Sequence, residues 1–276
     1  MKTFAEKLSA AQQSNDSWLC IGLDPVMDRL PSPLRDDDGV GWASVLTFAR
    51  SIVEATSDLV CAYKPNLAFW LAGGSAGIAA LEQLLPRIPK HVPIILDAKS
   101  NDVGHTAAAY AHAAFDTLDV DGVTINPYLG VDTLKPFLSD PSRGVFLLTR
   151  TSNPSAPDLQ DQKVDGAPLY EKVARLAAQW DADMPGTCGL VVGATYPEEL
   201  ARLRRLAPKL PFLIPGIGAQ GGDLEIAVSH GPTAEGIGPV INSSRGIIYA
   251  SSGDDFAEAA REAASTLRAR INSAHQ

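Results

Sequence analysis

The chain has 276 residues, 45% of them hydrophobic and 20% charged, the composition of a globular protein with a sizeable core, built as one large α/β domain or two smaller ones. Its 23 basic residues against 32 acidic ones leave a formal charge of −9 with no Lys/Arg-rich stripe, which argues against nucleic-acid polymers as partners. An anionic small molecule would therefore have to be held by local groups.

In chain order, an N-terminal helix is expected over Thr3–Gln13, followed by apolar strand-like runs at Trp18–Asp24, Leu59–Lys64, Val92–Asp97, Gly122–Asn126, Gly144–Thr149, Gly189–Gly193, Pro211–Pro215 and Pro239–Ser243. Segments of helical period lie between and after them, at Trp42–Ala55, Ser75–Leu85, Thr106–Leu118, Pro168–Asp181, Pro197–Leu206 and Asp255–Ile271. Eight strands alternating with helices over about 250 residues predict a (β/α)8 TIM barrel, a single domain over residues 1–276 with the N-terminal helix as an extra element. A doubly wound open sheet is the alternative, because alternation alone does not close a sheet. Two segments fall outside the repeat: an acidic loop at Pro31–Gly41, and Ser155–Gly166 after the fifth strand, a lid candidate entered through Asn153-Pro154-Ser155-Ala156-Pro157.

Cys20, Cys61 and Cys188 each sit in an apolar run, without a C-x-x-C spacing, and read as buried thiols rather than disulfides, zinc ligands or redox groups. No secretory signal precedes Trp18 and no run approaches about 18 apolar residues, so the expected location is cytoplasmic, with no membrane partner.

Barrel chemistry sits at the C-terminal strand ends, and here those ends are polar. They carry Asp24, then Lys64 and Asn66, then Asp97 and Lys99 with Asp102 beyond, then Asn126, then Thr149 with Thr151 and Ser152, and finally Gln220 and Arg245. Strand alternation places Asp97 and Lys99 on one face, where an acid and an amine perturb each other's charge state. A structural ion pair is the plainer reading of such a D-x-K, but Lys64 and Asp102 converge on the same strand ends. Gly216-Ile217-Gly218-Ala219-Gln220-Gly221 matches the dinucleotide fingerprint, yet it follows the seventh strand, where barrels bind phosphate through backbone N–H groups. Ser243-Ser244-Arg245-Gly246 adds hydroxyls and a guanidinium suited to a bidentate phosphate contact, so a phosphorylated small molecule is the expected ligand. The five histidines show no metal-binding spacing, and no Ser-His-acid set is evident.

These motifs, together with Tyr63-Lys64-Pro65-Asn66 and Thr151-Ser152-Asn153-Pro154, resemble the orotidine 5′-phosphate decarboxylase family in its longer, bacterial type 2 branch, over nearly the whole chain. Ser100 and Asn101 stand where many members of that branch carry Arg-Gly, at positions the family pattern leaves free. The resemblance implies cofactor-independent decarboxylation of orotidine 5′-monophosphate to uridine 5′-monophosphate, in de novo pyrimidine biosynthesis, with no metal. It implies a catalytic charge network of Lys64, Asp97, Lys99 and Asp102, with Lys99 protonating the C6 carbanion. Asp24 would hold the ribose, Ser152 the pyrimidine, and Gln220, Arg245 and Gly246 the phosphate. Asn66 and Thr106 would also reach the ligand, and Asp102 and Thr106 would come from the other subunit of a homodimer.

The nearest rivals are metal-dependent sugar-phosphate decarboxylases and hexulose-phosphate synthases, which share D-x-K-x-x-D but carry a carboxylate at the second strand end, where Lys64 would repel magnesium. A Schiff-base aldolase using Lys64 or Lys99 is a second rival, revealed by borohydride trapping, and a phosphate-ligand sensor on a retired barrel is a third.

Overall fold

The polar strand ends are brought to one place by a parallel sheet that closes on itself. The computed structural model describes residues 2–35, 41–193, 197–216 and 224–275. In chain order the strands are β1 (Leu19–Leu23), β2 (Ala62–Pro65), β3 (Ile95–Leu96), β4 (Gly122–Ile125), β5 (Gly144–Arg150), β6 (Lys163–Val164), β7 (Ala167–Pro168), β8 (Thr187–Val192), β9 (Phe212–Pro215) and β10 (Val240–Ser243). All but β6 and β7 form one sheet in the order β2-β1-β10-β9-β8-β5-β4-β3. Its two edges meet through the parallel bridges Tyr63–Ile94 and Asn66–Asp97. The Tyr63 amide donates to the Pro93 carbonyl at 3.0 Å and the Asp97 amide to the Pro65 carbonyl at 2.9 Å. The sheet is therefore a barrel, as expected, and not an open doubly wound sheet.

Parallel strands covered on both faces are apolar throughout, and each residue parity has its own core. Cys20, Ala62, Ile95, Phe146, Val191, Leu213 and Val240 fill the interior, joined by Phe4 and Leu8. The alternate residues, among them Leu19, Ile21, Val145, Leu147 and Ile214, pack outward against the helices. Phe4 opens the helix Phe4–Ser14, which a capping box fixes: Thr3 Oγ1 accepts from the Glu6 amide at 3.1 Å, and the Thr3 amide donates to Glu6 Oε2 at 2.8 Å. This helix seals the barrel floor. A Cβ on Gly144 would lie 2.6 Å from the Phe4 ring, so a glycine there is the condition for the plug.

Four expectations about elements change. Only Ile95–Leu96 of Val92–Asp97 forms regular ladder, because Pro93 has no N–H to contribute. The helix expected at Thr106–Leu118 is α-helical over Gly104–His112 and continues as a π turn over Ala113–Thr117. The lid candidate Ser155–Gly166 has structure of its own: a helical turn at Pro157–Gln160, then β6, which pairs antiparallel with β7. A helix follows the Gly216–Gly221 motif, at Leu224–His230, while the short helices Leu67–Leu71 and Arg245–Ile248 lie outside the expected segments, each far shorter than the window of about 11 residues in which a helical period can be read. Part of the acidic loop, residues 36–40, lies outside the described residues. Among the described residues no helix is long and apolar enough to cross a membrane.

Candidate active site

Side chains two residues apart on a strand share a face, so the interior layer can be followed upward to the barrel mouth. From Cys20 the inward positions run through Gly22 to Asp24; from Ala62 to Lys64; from Ile95 to Asp97; from Gly122 to Thr124; from Val240 through Asn242 to Ser244. Above a buried, apolar interior the next layer is thus charged and hydroxylated. Gly22 makes room for it, since a Cβ there would lie 1.9 Å from Ser244 Oγ and 3.2 Å from Asp24 Oδ2.

Asp97 is the hub. Its Oδ2 accepts from Lys64 Nζ at 2.8 Å, and its Oδ1 accepts from Lys99 Nζ and, at 2.8 Å, from Thr124 Oγ1. Asp97 and Lys64 are 8% and 4% exposed, whereas the Lys99 side chain is 46% exposed at the mouth. Burial, the largest single influence on Asp97, pushes its pKa up, but the ammonium groups of Lys64 and Lys99 outweigh it and hold the carboxyl well below the ordinary aspartate range. Burial likewise pushes Lys64 down, and the Asp97 and Asp24 carboxylates reverse the effect, leaving it above the ordinary lysine value. Asp97 and Lys64 are therefore an ionised pair at neutral pH, with Lys99 on the other carboxylate oxygen and Asp24 close enough to add its field. Cys20, directly below, is raised to about 12 by burial and stays a thiol.

Lys99 reaches Asp97 by a route that strand alternation does not describe. The chain leaves the ladder at Leu96, the Ala98 amide turns back to the Leu96 carbonyl at 3.0 Å, and Lys99 adopts φ +52°. Its amide donates to Thr124 Oγ1 at 3.1 Å. The loop beyond is tied down by Asn101, whose Nδ2 donates to the Asn126 carbonyl at 3.1 Å and Thr133 Oγ1 at 2.8 Å, while its Oδ1 accepts from the Asp102 amide at 2.8 Å. Asp102 accepts from the Val103 amide at 2.7 Å; among the described residues no ion pair joins it to Lys64 or Lys99. Thr106 is exposed on Gly104–His112. Within one chain, then, Asp24, Lys64, Asp97 and Lys99 converge, and Asp102 and Thr106 stand apart on the rim.

The remaining strand ends surround the same mouth. Asn66 caps Leu67–Leu71, accepting from the Ala68 amide at 3.2 Å. Ser152 lies beyond β5, where a Cβ on Gly193 would approach it to 3.2 Å. There Gln160 of the lid segment binds the β5 end, its Oε1 accepting from the Thr151 amide at 3.0 Å and its Nε2 donating to Thr151 Oγ1 at 2.7 Å. Arg245 and Gly246 are exposed in the first turn of Arg245–Ile248, just after β10. Gly216 turns with φ +90°, and the loop after it, with Gln220, lies outside the described residues.

Residues 17–263 match the model of the orotidine 5′-phosphate decarboxylase / HUMPS family. The chain belongs to this family. It is 51% identical over 263 residues to an orotidine 5′-phosphate decarboxylase of Herpetosiphon aurantiacus, covering 95% of each chain. A solved Leishmania donovani OMP decarboxylase is similar at 38% identity with a TM-score of 0.85, 99% of this chain covering 98% of that one. A Leishmania donovani UMP synthase matches all of this chain with 57% of its own, at 39% identity and a TM-score of 0.87. At the end of β2, Lys64 is bound to the Asp97 carboxylate, an oxygen donor of the kind a divalent cation would need. Two residues of this family member escaped sequence reading, Thr124 and Asn101. Thr124 left a signal, a single hydroxyl in the otherwise apolar run Gly122–Ile125, while the bonds of Asn101 depend on tertiary placement beside Asn126 and Thr133.

Proposed function

We propose that the charged mouth decarboxylates orotidine 5′-monophosphate to uridine 5′-monophosphate, with one barrel domain spanning residues 1–276 carrying the chemistry. The enzyme is an orotidine 5′-phosphate decarboxylase by its relatives, and the observation that carries the residue-level reading is the Lys64–Asp97–Lys99 chain, in which the outermost cation is the half-exposed one.

Breaking the bond between C6 and the carboxylate leaves an electron pair on C6 that the ring does not delocalise, so fixed positive charge has to stabilise it. Lys99 Nζ supplies that charge, then transfers one proton to C6 as CO2 leaves, and recovers a proton from solvent. Asp97 holds the ammonium in place and disfavours a substrate carboxylate bound beside it. Asp24 and Lys64 take the ribose hydroxyls, Asn66 lines the same side, and Ser152 takes the pyrimidine. Arg245, the amide region at Gly246, and Gln220 take the phosphate. That binding energy, remote from C6, drives the segment around Gln160 over the ligand.

Asp102 and Thr106 act on the pocket of a second copy. The rim that carries them also exposes Val103 (56%), Tyr110 (43%), Tyr128 (79%) and Leu129 (43%), an apolar surface that a homodimer would cover. Cytoplasmic residence is supported by three cysteines that are all unpaired.

The test is to follow pyrimidine absorbance when metal-stripped protein meets orotidine 5′-monophosphate with EDTA present. Turnover is expected. Turnover that requires an added divalent ion would overturn the metal-free mechanism, and no turnover under either condition would overturn the substrate.

A further inference from the structure

We propose that Thr124 is a positioning residue for this reaction, holding the Asp97 carboxylate and the Lys99 backbone in mutual register; the inference rests on the decarboxylase reading. Thr124 is 1% exposed, facing inward from β4. A hydroxyl in such a place is costly unless its hydrogen bonds are made, and valine would fill the same volume without that cost. Both capacities of the Thr124 hydroxyl are used on the charged cluster: it donates to Asp97 Oδ1 at 2.8 Å and accepts from the Lys99 amide at 3.1 Å.

Two features make these bonds consequential. Among the described residues three side chains donate to the two oxygens of Asp97, and Thr124 is the one whose place is set by a barrel strand rather than by a long flexible chain. It fixes the rotation of the carboxylate, which keeps Lys64 on Oδ2 and Lys99 on Oδ1. Lys99 also occupies φ +52°, a conformation that non-glycine residues adopt at a cost, and the Thr124 bond is made at that residue's own amide. Without the hydroxyl the carboxylate is released to turn, the amide loses its acceptor, and the half-exposed ammonium is left to swing toward solvent.

The experiment compares wild type with Thr124→Val and Thr124→Ser. In Thr124→Val, kcat is expected to fall about 10- to 100-fold through misplacement of Lys99, with KM and the product dissociation constant changing less than about threefold. Thr124→Ser, which restores the hydroxyl, returns kcat to near wild type. Independently of activity, hydrogen exchange at the Lys99 amide, followed by NMR with 15N-lysine, quickens in Thr124→Val and slows again in Thr124→Ser. Should Thr124→Val not fold, Thr124→Cys, close in volume and a weak donor, takes its place.

An unchanged kcat in Thr124→Val, a serine variant no better than the valine one, or unaltered Lys99 exchange overturns the proposal. A wild-type chain that does not decarboxylate orotidine 5′-monophosphate overturns the decarboxylase reading instead, and the Lys99 exchange then decides the positioning role alone.

Discussion

Lys64 and Lys99 grip different oxygens of one carboxylate, and they do so from opposite environments: Lys64 is buried within β2, while Lys99 is half exposed on a turn beyond β3. The division separates a cation that is part of the barrel from one that is available to a ligand.

Lys99→Ala is therefore expected to abolish decarboxylation and leave the fold intact, because its side chain contributes charge at the mouth rather than packing. Turnover and the thermal midpoint are the measurements. Substantial residual turnover in a pure, folded preparation would remove Lys99 as the proton donor.

Asp97→Ala is expected to be severely impaired and yet to bind uridine 5′-monophosphate at least as well as wild type, since a carboxylate facing an anionic ligand is gone. Weaker product binding, measured by calorimetry, would move Asp97 away from the reacting group. The same residue gives stability a pH dependence whose sign is fixed. The folded pKa of Asp97 lies below the unfolded value of about 3.9, so its contribution is complete above that pH and is lost as pH falls through the folded value. Lys64 lies above its unfolded value of about 10.4, so its share is complete below that pH and is lost as pH rises through the folded value. Urea unfolding of wild type and Asp97→Asn should differ by a constant amount between about pH 5 and 9, and the difference should shrink in strong acid and in strong alkali. A gap that opens or closes near neutrality would contradict the ionised cluster.

If Arg245, exposed just after β10, serves a phosphate remote from C6, Arg245→Ala should raise KM strongly and be partly rescued by added guanidinium. The control is the phosphate-free nucleoside. If its kcat/KM falls by the same factor, Arg245 is not the phosphate ligand.

If Asp102 and Thr106 complete the pocket of a second copy, inactive Lys99→Ala and inactive Asp102→Ala chains should complement on mixing. One pocket of a mixed dimer carries both lesions and the other carries none. Random reassortment of equal amounts makes about half the dimers mixed, so activity should return to roughly a quarter of wild type. Absence of recovery after verified subunit exchange would assign Asp102 to its own chain's pocket.

The barrel and its charged ends were legible because both follow from short-range pattern: apolar runs of strand length, and polar residues where those runs stop. What stayed hidden depends on where the backbone goes next. D-x-K spacing suggested that Asp97 and Lys99 share a strand face, and they do meet, but Lys99 gets there on a left-handed turn that no local pattern announces. The bonds of Asn101 to Asn126 and Thr133 form only once β4 lies alongside. Pro93 shortened β3 for a reason written in the sequence, although its carbonyl still serves the closing seam.

The plug at the barrel floor has a consequence for how the chain is made. Phe4 and Leu8 precede their partners in the chain: the Phe4 ring is received by Gly122, Gly144 and Phe146, and β1 finds its second flanking strand only in β10. At about 5–20 residues per second the helix Phe4–Ser14 waits on the order of ten seconds or more for those partners. During that interval the nascent chain carries the apolar face of this helix, Phe4, Leu8 and Ala11, uncovered.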